Sequence, residues 1–75
     1  MTRWYVQRGD DGEVLIVARI RDEPDGTYPE FWNGHSWQYW PPAMSYLVDP
    51  LAADEVDEAG AAGAIKERGS TLPGE

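Results

Sequence analysis

The chain has no cysteine, one histidine and one lysine in 75 residues. Without cysteine there is no disulfide framework and no thiolate metal cage, and a single histidine leaves too few nitrogen donors for a structural zinc site. Basic clusters are also missing. Five arginines and the one lysine face 14 acidic residues, for a net charge of −8, which argues against direct nucleic-acid binding through the phosphate backbone. No apolar run approaches the ~18 residues of a membrane span, and the N-terminal residues lack the apolar core of a signal peptide. A cytoplasmic protein with no membrane association is expected.

Chemistry-bearing motifs are equally scarce. The acidic clusters Asp10-Asp11-x-Glu13 and Asp22-Glu23-x-Asp25 lack the run of oxygen ligands that ends, in a calcium loop, in a bidentate glutamate, so both read as turns. Gly60-x-x-Gly63 has neither the lysine nor the preceding strand of a phosphate-cradling loop. His35 and Ser36 are neighbours, but successive strand residues point to opposite faces, so this pair does not suit Ser–His catalysis. His35 reads as an exposed turn histidine. These absences predict a protein that is not an enzyme and holds neither a metal nor a cofactor.

What the chain does have is concentrated aromatic surface. Tyr28 to Trp40 holds three of the four tryptophans, two of the four tyrosines and the only phenylalanine. At its centre lies Asn33-Gly34, a strong hairpin signal because both residue types tolerate positive φ. The loop is either Asn33-Gly34 or the four residues 33–36. Either way Tyr28, Glu30, Trp32, Trp37 and Tyr39 share one face, and Phe31, Gln38 and Trp40 the other. Pro29 cannot donate to a ladder, which makes the strand an edge or a bulge at that point.

The remaining elements follow from pattern. Residues 3–8 and 13–21 read as strands separated by the turn Gly9-Asp10-Asp11-Gly12, rich in β-formers and turn formers respectively. In the second strand Val14, Ile16, Ala18 and Ile20 share one face. Leu15, Val17, Arg19 and Arg21 share the other, which begins apolar and ends basic, as in a strand covered along part of its length. Phe31 and Trp40 are expected in the core with Ile16 or its neighbours. Pro41-Pro42 opens one or two helical turns over residues 43–48, with Met44, Leu47 and Val48 inward, and Asp49-Pro50 closes them. A second helix begins near Asp57, which caps it; Lys66 and Arg68 sit at its negative end. The expected fold is α+β: a small antiparallel three- to four-stranded β-meander followed by one or two short C-terminal helices. It forms a single domain over residues 1–68, with sheet at 3–40, the helical part at 42–68, and a disordered tail at 69–75.

Glu30-x-Trp32-x-Gly34-x-x-Trp37, followed by Tyr46-Leu47-x-Asp49-Pro50 and Asp54-Glu55-Val56-Asp57-Glu58-Ala59, resembles an element of small uncharacterised proteins from high-GC bacteria and their phages. In these a short sheet ends in a Trp-Asp/Asn-Gly-x-x-Trp hairpin, followed by a short helix and an acidic segment. The resemblance implies the fold and no activity. A WW module is excluded because Trp4 and Trp32 are too far apart and neither is followed by the required proline.

The functional expectation is a non-catalytic protein–protein interaction module: an adaptor, an assembly subunit or an antitoxin-like neutraliser. Its expected contacts are Trp32, Trp37 and Tyr39, with Tyr28 at the margin and the acidic residues Asp54, Glu55, Asp57 and Glu58 as an electrostatic rim. The aromatic side is either folded under the C-terminal helices, which is favoured, or open as a platform; an open patch of large rings marks a partner site. The alternative is an acidic nucleic-acid-mimicking inhibitor, phage-encoded in one version, that blocks a basic site on a host enzyme. The small core and the edge at Pro29 also make a homo-oligomer an expected form.

Overall fold

The structure, a computed structural model, describes residues 1–49 and 51–68. The expected disordered tail at 69–75 and Pro50 of the closing Asp49-Pro50 pair lie outside them.

Strands β1 (Thr2–Arg8), β2 (Val14–Glu23), β3 (Gly26–Trp32) and β4 (Trp37–Tyr39) form the antiparallel meander. Next come a 3-10 helix at Pro41–Leu47, a short strand β5 (Asp54–Val56) and helix α1 (Glu58–Glu67). The sheet order is β4-β3-β2-β1-β5. The α+β architecture is as expected, but β5 lies inside the segment expected to be helical and adds a fifth strand. It pairs antiparallel with β1 through Trp4↔Val56 and Val6↔Asp54. Three residues are too few for a periodic signal, so only the partner strand reveals it.

Helix and 3-10 helix cover opposite faces of the sheet. On one face Ala61, Ala64 and Ile65 of α1 pack on Val6, Val14, Val17 and Trp32. On the other, Ala43 and Tyr46 of the 3-10 helix and Ala53 pack on Tyr5, Ala18 and Ile20, with Trp40 and Ile16 at the margin of that cluster. Phe31 meets Trp40 edge to face at 5.6 Å.

Two facing assignments change. A register shift between Gln7 and Arg8 pairs Arg8 with Val14 and Gln7 with Ile16, so Leu15 is the extra residue of a bulge. Val14 therefore joins Val17 under α1 instead of Ile16 and Ala18, and Leu15 is left exposed. In the segment after Trp40, Ala43 and Tyr46 are buried, while Met44, Leu47 and Val48 are exposed. A 3-10 helix has three residues per turn, so i and i+3 eclipse; reading the stretch at 3.6 selected the wrong set.

At the hairpin Trp32 pairs with Trp37 and the loop is the four residues 33–36. Of the Asn33-Gly34 pair, only Gly34 has positive φ (101°). Asn33 acts instead through its side chain: Oδ1 accepts from the backbone N–H groups of His35 and Ser36, both at 2.8 Å. Pro29 carries the last contact beyond this ladder, its carbonyl accepting from the Trp40 N–H at 2.7 Å. The partner-strand side of Gly26–Tyr28 is left as an edge.

Candidate functional site

Register alone builds the site. Val56, Trp4, Arg19, Glu30 and Tyr39 are successive cross-strand partners from β5 to β4. They form one row on the face that α1 covers elsewhere. The neighbouring row, Val6, Val17, Trp32 and Trp37, lies towards the helix. Arg21 and Tyr28, also paired, lie on the far side. The covered end of this face is apolar and the uncovered end is charged and aromatic, the partial covering that Val17, Arg19 and Arg21 imply.

The open part is ordered by ionic and aromatic contacts. Glu30 Oε1 accepts from Arg19 Nε at 2.8 Å and from Arg21 Nε at 2.9 Å. Its side chain is 13% exposed. Partial burial pushes the Glu30 carboxyl up, but the hydrogen bonds from Arg21 and Arg19 outweigh burial and hold it below the ordinary glutamate value. The Arg19 guanidinium lies 4.2 Å from the Trp37 ring centroid and 5.8 Å from that of Trp4. Trp37 in turn meets Trp4 edge to face at 5.8 Å and Trp32 at 5.4 Å. Arg21 stands 5.0 Å over the Tyr28 ring, and the Tyr28 hydroxyl donates to Asp25 Oδ2 at 2.9 Å. That bond, with some burial, raises the Tyr28 hydroxyl pKa. Each of these arginine–ring contacts places a guanidinium within attractive range of the negative face of a ring.

The expected contact residues therefore separate. Trp32 is 1% exposed, beneath α1; it is core and cannot touch a partner, which corrects its place among the contacts. Trp37 and Tyr28 are half-buried, and Tyr39 is 67% exposed. The side is thus neither wholly covered nor wholly open, because α1 ends its contacts at the Trp32 row. The acidic segment does not rim this surface. β5 lies at the opposite edge of the sheet from β4, ~19 Å away at the usual strand spacing. Glu55 is ion-paired with Arg3 at 2.8 Å, and the hydrogen bond from Arg3 lowers its carboxyl pKa. Asp57 caps α1, accepting from the Gly60 N–H at 2.7 Å. Glu58 sits in the first helical turn, where acids are favoured. Asp54 is exposed on the outer strand. Three of the four acids thus have local structural partners or positions.

Trp4, Arg19, Arg21 and Glu30 were not among the expected contacts. The opposite charges of Arg19 and Glu30 become a signal only once β2 and β3 are in register, and taking all of Asp22–Gly26 as the turn does not give the observed pairing. That turn is the two residues Pro24 and Asp25. His35 is exposed, and the Ser36 hydroxyl is engaged by the Gln38 amide at 2.8 Å. No group of three or more His, Cys, Asp or Glu side chains that could hold a metal occurs among the described residues. Among the described residues, no helix is long and apolar enough to cross a membrane.

No known family model, curated protein or solved structure matches this chain.

Proposed function

We propose that the protein is a non-catalytic protein–protein interaction module that docks through the open half of the α1-side sheet face. Tyr39 is the exposed anchor, Trp37 and Tyr28 flank it, and the Arg19–Glu30–Arg21 cluster lies between them. The exposure of Tyr39, at 67%, beside rings already immobilised on ion-paired arginines carries the reading. Tyr and Trp are favoured anchors, and side chains ordered before binding lose little entropy on association. The acidic edge at Asp54 and Glu58 is separate from this surface and contributes long-range steering at most.

Affinity capture from source cells followed by mass spectrometry, with the wild type and a Tyr39→Ala variant, tests this. A specific partner retained by the wild type, kept by Asp54→Asn/Glu58→Gln and lost by Tyr39→Ala, is the expected result. A complex indifferent to Tyr39→Ala and Trp37→Ala sinks the reading. A complex that weakens steeply from low to moderate salt, and is lost in the acid-edge variant, replaces it with the acidic inhibitor. Self-association is the homotypic form of the same proposal, and sedimentation at high protein concentration tests it.

A further inference from the structure

At the hairpin end of the sheet β2 and β3 part; their last paired residues there are Ala18 and Phe31. A cleft of 280 Å³ opens at the parting, lined by Ile16, Phe31, Trp32 and Trp40 and by the exposed Asn33 and Arg68. Its walls are mostly apolar, and Arg68 stands at its rim. Arg68 has no carboxylate within ion-pair distance among the described residues, because the adjacent Glu67 is taken by Arg8 at 2.6 Å. A guanidinium without a carboxylate partner among the described residues, beside a short aromatic-lined cleft, fits an apolar anion.

We propose that this cleft binds a small apolar monocarboxylate, an aryl or branched-chain acid. Its carboxylate lies on Arg68 and its apolar body rests against Phe31, Trp40 and Ile16. The inference is independent of the sheet-face reading, since none of Tyr28, Trp37, Tyr39, Arg19, Arg21 and Glu30 lines the cleft and the class of ligand differs. A single negative charge fits better than a dianion. Arg68 and Lys66 offset the partial negative charge at the end of α1, but the chain as a whole stands at −8 and repels higher charge. The cleft volume lies at the lower limit of ordinary small-molecule sites, which restricts the body to about one ring or one branched chain.

The test is an amide and indole ¹H–¹⁵N titration of the full chain with phenylacetate and 4-methylpentanoate, with acetate and phenylacetamide as controls. Saturable shifts of the Trp32 indole and the Phe31 and Asn33 amides are expected, with Kd on the order of millimolar for ligands of about ten heavy atoms. Arg68→Gln should weaken phenylacetate about tenfold or more, Arg68→Lys less, because the charge-assisted bond is the specific one. The unliganded spectrum of Arg68→Gln, overlaid on wild type, confirms that the variant is folded. Absence of saturable shifts up to ~20 mM, where a site of this size should be filled, overturns the proposal. So does equal affinity of Arg68→Gln for phenylacetate, or of the wild type for phenylacetamide or acetate.

Discussion

Gly60 and Gly63 lie three residues apart on α1 and meet opposite surroundings. A Cβ at Gly60 would stand 2.9 Å from Val56 Cβ and 3.2 Å from Asp57 Oδ1, whereas one at Gly63 would meet nothing within 4 Å. Gly60 is thus the close approach that lets α1 start directly after β5. Gly63→Ala should stabilise the protein by about 0.5–1 kcal/mol through helix propensity and chain entropy. Gly60→Ala should destabilise it, overpacking of about 1–3 kcal/mol outweighing the same propensity gain. Urea unfolding of the two variants gives opposite shifts in midpoint. Glu30 is the second residue whose surroundings decide its role. Its folded pKa is depressed, so the stability it contributes is complete above the unfolded value of about 4.3 and is lost as pH falls through the lower folded value. Glu30→Gln should cost about 1–3 kcal/mol near neutral pH, since two arginines lose a charged acceptor. Its stability should also fall less steeply than that of the wild type in acid below about pH 4, measured by urea unfolding across that range.

Elements here are short, and each is held by something outside itself. α1 has ten residues and two interior glycines, too little to persist alone in water; the Asp57 cap and the packing of Ala61, Ala64 and Ile65 hold it. Asp57→Ala should cost about 1 kcal/mol and loosen the cover over Trp32, visible as a red shift of tryptophan emission in mild urea before global unfolding. The 3-10 helix is fixed by Ala43 and by Tyr46, whose hydroxyl donates to Gln7 Oε1 at 3.0 Å and whose ring meets Tyr5 at 5.5 Å. Burial raises the Tyr46 hydroxyl pKa. The two shortest strands, β4 and β5, have three residues each and exist because neighbours in register present a ladder to them.

For the whole molecule, stability and surface chemistry must be separated before any substitution is read as functional. A domain of this size has about 3–5 kcal/mol to lose. Trp32→Ala alone should cost about 3–5 kcal/mol, so it should abolish the cooperative thermal transition, and loss of binding by it would report unfolding. Tyr39→Ala, on the exposed edge strand, should change stability by less than about 0.5 kcal/mol, leaving the melting transition in place. Differential scanning calorimetry of the pair distinguishes core from contact.

The meander, the aromatic hairpin, its facing and the capped terminal helix were legible because each rests on local rules. Residue alternation places Trp32, Trp37 and Tyr39 on one side whatever the loop length, and a cap residue acts within three positions of itself. The bulge at Leu15, the three-residue period after Pro41, strand β5 and the site that joins Trp4, Arg19, Glu30 and Tyr39 were not legible. Each depends on another element of the fold, from the register of Arg8–Val14 and Gln7–Ile16 at the bulge to that of Trp4–Val56 at the far edge of the sheet. Local sequence determined which side each ring of the hairpin would take. Only the tertiary structure decided how far α1 reaches over that side, leaving Trp32 buried and Tyr39 in solvent, because a helix of ten residues covers part of a five-stranded sheet and stops.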